Sequence, residues 1–180
     1  GNTGSKVSMT NLVNNSGVIA SDVTGVGTAR SKLAACEYGN DKGIFGYGDT
    51  GSVSSLSNLV SNSGVVASDV TGVGTARKDL AACSYRGDKG IFAYGDTGSV
   101  TAVSNLVSNV GVVATDVSAV GTARSNLAAC EYGEGKGIFG YGWTDSYLSM
   151  TNLVSNAGVI ATDVTGVGTA RYYLTGCSYN

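Results

Sequence analysis

The 180-residue chain contains no proline and no histidine. Without histidine it lacks the side chain most used for proton transfer and metal ligation near neutral pH. Charge is also scarce: Asp, Glu, Lys and Arg make up 13% of the residues, for a net charge of -2. No basic cluster interrupts that sparse pattern, so nucleic acid has no electrostatic footprint to bind. No apolar run approaches the roughly 18 to 20 residues that cross a bilayer as a helix. The opening Gly1-Asn2-Thr3-Gly4-Ser5 is not a basic, then apolar, signal segment. The expectation is a chain that does not insert into a membrane.

What the chain has is glycine, 28 of them, and 42% apolar residues, enough to build a core. It also repeats itself. Thr28-Ala29-Arg30 followed by Leu33-Ala34-Ala35-Cys36-Glu37-Tyr38 and Lys42-Gly43-Ile44-Phe45-Gly46-Tyr47-Gly48 returns twice in full and a third time in part. Arg30, Arg77, Arg124 and Arg171 are each 47 positions apart, as are Cys36, Cys83, Cys130 and Cys177. A fixed period of this size marks a solenoid, a propeller or an array, and the whole of 1–180 reads as one domain.

Within one period, Leu33–Tyr38 is a short apolar run closed by Gly39-Asn40-Asp41. Gly43–Tyr47 follows and stops at Gly48-Asp49-Thr50-Gly51. Val53–Val60 and Val65–Ser68, separated by Ser61-Asn62-Ser63-Gly64, complete the unit. Runs this short between glycine turns are strands rather than helices, which average about 11 to 12 residues. The spacing therefore predicts an all-β chain of four-stranded units. Small residues crowd the first two strands and Ser, Asn and Thr the last two, a gradient that suits strands converging on an axis and widening toward a wet rim.

Arg30 ahead of Leu33-Ala34-Ala35, and Ile44-Phe45-Gly46-Tyr47-Gly48 after it, resemble the kelch family of β-propeller repeats. In this sequence Tyr47 splits the family's glycine pair, and Leu59 and Val65 stand at its Tyr and Trp positions. The wording of the repeats also resembles that in predicted tail or fibre proteins of bacteriophages. The resemblance implies a four-bladed propeller and brings no catalytic motif with it. Complete blades are expected at about 31–70, 78–117 and 125–164. The closing blade would be shared by residues 1–23 and 172–180 and would be short of its second strand. A strand from elsewhere would fill that place, or the two edges would shift together.

Three sets of side chains are candidates for function. Arg30, Arg77, Arg124 and Arg171 would gather at one end of the axis and hold an anion, or else pair with Asp22, Asp69, Asp116 and Asp163 or loop carbonyls. Cys36, Cys83, Cys130 and Cys177 fall one to a repeat, too far apart for bridges around a ring; they are buried small residues or thiols for links between subunits. Trp143, Tyr147, Tyr172 and Tyr173 are where the repeats disagree with one another, and they would form one aromatic patch that contacts a subunit, takes a sugar or plugs the seam.

No acid-base or nucleophilic constellation breaks the repeat symmetry, so an enzyme, a cofactor and a metal site are not expected. The expectation is a structural or assembly module of an extracellular fibre or virion appendage, partnered by itself or a neighbouring structural subunit. The alternative is a lectin-like module that binds glycans.

Overall fold

The computed structural model describes residues 1–118 and 120–178. Among these there is no helix, and nine strands form three separate antiparallel sheets of three strands each. The first sheet holds β1 (Ala34–Tyr38), β2 (Lys42–Asp49) and β3 (Val53–Val60). The second holds β4 (Ala81–Tyr85), β5 (Lys89–Ala93) and β6 (Ser104–Val107), and the third β7 (Ala128–Tyr132), β8 (Lys136–Trp143) and β9 (Tyr147–Val154). Strand order follows the chain in every sheet, with three-residue turns at every connection except β5–β6, where residues 94–103 intervene. In the β1–β2 turn Gly39 and Asn40 sit at φ 61° and 66°, a region that Gly enters freely and Asn at small cost.

The expected fourth strand of each unit does not form. Val65–Val70 meets β3 only through isolated bridges, Val60 with Val66 and Ser57 with Val70. The cause is a change of register. Ala67 N–H donates to Leu59 O and Val70 N–H to Ser57 O, so three residues of the outer segment span two of β3. The side chain of Asn58 takes up the slack, donating to Ala67 O and to the Asp69 carboxylate in place of a ladder bond. Residues 1–23 repeat this outer pattern in bridges alone, Thr10 with Val23 and Val13 with Ile19. Residues 172–178 form no strand, and Tyr179 and Asn180, the end of the segment expected in the closing blade, lie outside the described residues.

A second irregularity fixes how units meet. Between Gly46 and Gly48 the β2–β3 register shifts, and Tyr47 inside that bulge has φ 64°. Tyr94 and Tyr141 have φ 64° and 63° at the equivalent positions. A left-handed non-glycine residue costs about 1 to 2 kcal/mol. What it gains is direction: the Tyr47 ring leaves its own sheet and packs edge-on against Phe92 of the next, with centroids 5.2 Å apart, as Tyr94 does against Phe139 at 5.5 Å. Arg77 lies over the Tyr47 ring at 4.1 Å, and Arg124 lies over Tyr94 at the same distance. These stacks form the centre of each junction. Tyr47, Phe92, Tyr94 and Phe139 are all 1% exposed or less.

Backbone bonds run between the units as well. Asp79 N–H donates to Lys32 O, Asn126 to Asp79, and Tyr173 to Asn126, each donor at φ 54° or 55°. Gly48, Gly95 and Gly142 donate to Arg77, Arg124 and Arg171, and the Gly1 amino group donates to Arg30 O in the same way. Thr28, Thr75 and Thr122 each give N–H and hydroxyl to an Asp 41 residues on, Asp69, Asp116 and Asp163. The outer turns stack too: a Cβ at Gly64 would strike Leu12, at Gly111 Leu59, and at Gly158 Leu106. At Gly17, the first of that series, nothing stands within 4 Å.

Candidate binding surface

The aromatic residues expected to meet do meet. Trp143 ends β8 and Tyr147 opens β9, and the two are paired across the hairpin. Their ring centroids are 5.4 Å apart. Tyr172 stacks on Tyr147 at 5.2 Å and 20° and tilts against Trp143 at 5.7 Å. Tyr173 extends the row, 4.5 Å from Tyr172, with its backbone pinned by the bond to Asn126. Tyr147 and Tyr173 are 56% and 68% exposed, so the cluster is a surface rather than a plug.

The same place in the earlier units is polar. Trp143 replaces Asp49 and Asp96, and Tyr172 replaces Lys78 and Ser125. Asp49 accepts from Lys6 at 2.8 Å and stands 3.8 Å from Lys78, and those cations and the Gly51 N–H outweigh desolvation and hold its carboxyl below the usual range. The hydrogen bond from Lys6 is the largest of these influences. One junction edge is thus an ion-paired rim, and the third is an aromatic row of the type enriched at the centres of interfaces.

The arginines do not form an open ring. Arg77 and Arg124 are fully buried and Arg30 is 5% exposed; only Arg171 faces solvent, over Tyr141 at 4.0 Å. Their partners are carbonyls and rings more than carboxylates. Arg77 Nε donates to Tyr94 O, and Arg124 Nε to Tyr141 O. Among the described residues the one Arg–Asp ion pair is Arg30 with Asp69 at 3.6 Å. These three guanidiniums are therefore not open to an anion: Arg77 and Arg124 spend their donors inside junctions, and Arg30 is buried against Asn58, Thr28 and Asp69. Burial lowers the Arg77 and Arg124 pKa values, and the tyrosines beside them act in the opposite sense. Asp116 experiences an upward push from burial, outweighed by Thr75, Asn105 and Arg77, which hold its carboxyl low.

All four cysteines are free thiols. They lie at one level and line a common cavity of about 240 Å³ with Ala82 and Ala129. Cys36 Sγ packs on Gly90 of the next unit and Cys83 Sγ on Gly137. Burial pushes the Cys36 thiol up to about 12 and raises Cys83 further. Cys83 is buried, Cys36 and Cys130 are partly exposed, and of the expected intersubunit thiols Cys177 is the one fully open to solvent. Among the described residues no group of three His, Cys, Asp or Glu side chains is placed to hold a metal ion.

No protein family matches the chain, and no curated protein does. The site must be read from its own geometry. That geometry also contains something residue types alone did not mark: Arg30 Nε is buried with no hydrogen-bond partner among the described residues, beside a cavity of about 290 Å³ that includes Val26 and Phe45 in its lining. The signal was in the period. The Tyr that covers each later Arg lies 30 positions before it.

Proposed function

We propose that the units fan about an axis as a four-bladed, kelch-like β-propeller and that this propeller is an assembly module of an extracellular fibre or virion appendage. The cavity shared by Cys36, Cys83, Cys130 and Cys177 supports the fan, since strands laid in a straight row would not bring the first and last to one wall. The unlike third edge supports assembly. Trp143, Tyr147, Tyr172 and Tyr173 form a row of four contacting rings, one pair of them stacked, where the other units carry polar or charged side chains, and aromatic rings contribute most to association per residue.

In this reading the module has no catalytic role and works by holding neighbours. Sedimentation velocity over a concentration series is the test. The expected result is self-association that weakens at least about tenfold in a Tyr147→Ser, Tyr173→Ser double variant. A monomer at every concentration would overturn it. Small-angle X-ray scattering tests the fan separately: a flat, disc-like particle is expected, and a rod would exclude it.

A second reading rests on the near-parallel Tyr147 and Tyr172 rings, 20° apart, which offer the flat apolar face that sugar rings stack upon. A glycan array distinguishes the two. Specific signals abolished by Trp143→Ala would favour a lectin-like module over assembly.

A further inference from the structure

The junctions between units are the guide to a site that has no occupant of its own. At each filled junction one strand of wording Gly-Ile-Phe-(Gly/Ala)-Tyr serves two faces. Its Tyr covers an Arg ahead of it and meets the following Phe; its Phe packs behind it on the preceding Tyr. Its first Gly makes room for the preceding Cys Sγ, at Gly90 for Cys36 and at Gly137 for Cys83.

Two faces of the molecule show these features unfilled. On the first, Arg30 is 5% exposed, yet among the described residues no ring lies over it and its Nε has no partner. Phe45 beside it is half-buried where Phe92 and Phe139 are 0% exposed. The cavity of about 290 Å³ there is also lined by Val26, whose carbonyl corresponds to Val73 O and Val120 O, the acceptors of the Tyr47 and Tyr94 hydroxyls. On the second face, Cys130, Ile138, Gly140 and Tyr141 line a cavity of about 260 Å³ with Arg171. They match Cys36, Ile44, Gly46 and Tyr47, the surface that Phe92 and Gly90 cover one unit earlier. Ile138 and Tyr141 stay partly exposed, while Ile44 and Tyr47 are each 1% exposed.

We infer that both faces belong to one slot that binds an extended β-strand carrying this chain's own Lys-Gly-Ile-Phe-Gly-Tyr wording. The slot rests on the fan arrangement proposed above, but not on the aromatic row. The incoming Tyr stacks on Arg30, meets Phe45 edge-on and donates its hydroxyl to Val26 O. The incoming Phe packs on Gly140 and Tyr141, and the Gly before Ile admits Cys130 Sγ. By the register of β1–β2 and β2–β3, the strand pairs with Thr175–Ser178 on one side and Thr10–Val13 on the other. Strand addition of this kind draws affinity from main-chain bonds and selectivity from alternate side-chain pockets.

The test leaves the protein unaltered. An acetylated, amidated heptapeptide Asp-Lys-Gly-Ile-Phe-Gly-Tyr is titrated by isothermal calorimetry, alongside a peptide in which Phe and Tyr are both Ser. Alkylation of Cys130 is followed by peptide mass mapping. Saturable one-to-one binding is expected, at least about tenfold weaker for the Ser peptide, with slowed alkylation of Cys130 only by the first. No saturable binding, equal binding of both peptides, or binding that leaves Cys130 equally reactive would each overturn the slot. The assembly reading and the fan are judged on the protein without peptide, by sedimentation and by scattering, so either can fail while this result stands.

Discussion

Arg124 and Arg30 are the same residue of the same repeat in two settings. Arg124 lies under the Tyr94 ring at 4.1 Å, gives Nε to Tyr141 O and a second nitrogen to Asn152, and is fully buried. Arg30 keeps the bonds to Asn58 and Thr28 and a 3.6 Å approach to Asp69, but it has neither the ring nor a partner for Nε. The hydrogen bonds of Arg124 are thus made within its own unit, and what the preceding unit adds is the Tyr94 ring. Under that ring each of the three Arg124 nitrogens has an acceptor, whereas Arg30, with no such ring among the described residues, leaves Nε without one. In a repeat array, junction contacts of this kind add to the stability each unit has of its own.

The sharpest way to break that comparison is to delete the two arginines in turn. Arg124→Ala removes a fully buried side chain, strands the Tyr141 and Asn152 acceptors and uncovers Tyr94. A loss of about 3 to 5 kcal/mol is expected from urea unfolding. Arg30→Ala is expected to cost about half as much, because its ring and its Nε bond are already absent. Equal losses would show that the ring and that bond contribute nothing.

The glycines that face cysteines give the next effect. A Cβ at Gly90 would stand 2.5 Å from Cys36 Sγ and one at Gly137 2.6 Å from Cys83 Sγ, whereas Gly43 has nothing closer than the Val60 side chain at 3.6 Å. Gly90→Ala should therefore cost about 1 to 3 kcal/mol, while Gly43→Ala should stay within about 0.5 kcal/mol. Adding Cys36→Ala to Gly90→Ala should recover most of the loss, a coupling that a double-mutant cycle measures directly.

The same thiol makes stability depend on alkaline pH. Burial holds Cys36 protonated to about 12, above the value of an unfolded thiol. Its contribution is fully present below the unfolded pKa and is lost as pH rises, because the unfolded chain then releases a proton that the native chain retains. Between about pH 9 and 12 the loss is about 1.4 kcal/mol per pH unit for one thiol. The urea midpoint of Cys36→Ala should fall less steeply over that range than that of the parent, and identical slopes would show that Cys36 is not shielded.

Much of this was legible in the letters. The β3 bounds, Val53–Val60, follow from turn signals on both sides, and the aromatic row follows from asking where the repeats differ. Two things were not. The outer segment at Val65–Val70 looks like a strand because its valines are β-branched, but the Asn58 amide and a one-residue register change remove the ladder. The arginines look like an axial ring because position in the repeat says nothing of direction. Their direction is set by Tyr47 and Tyr94, whose left-handed backbone lies between two glycines or between Ala93 and Gly95, and residue type alone does not foretell a bulge there.

The finest test of the comparison uses one oxygen atom. The Tyr94 hydroxyl donates to Val120 O in a partly buried setting, and the Tyr141 hydroxyl makes the same bond to Val167 O where it is exposed. Tyr94→Phe leaves a carbonyl short of its donor away from solvent and should cost about 1 kcal/mol. Tyr141→Phe leaves its carbonyl to water and should cost a few tenths of a kcal/mol at most. If a strand enters the slot, its Phe covers Tyr141 as Phe139 covers Tyr94, and the two hydroxyls become alike. The Tyr141→Phe cost should then rise toward the Tyr94→Phe value when unfolding is measured with saturating Lys-Gly-Ile-Phe-Gly-Tyr peptide. An unchanged cost at saturation would mean that the peptide binds elsewhere.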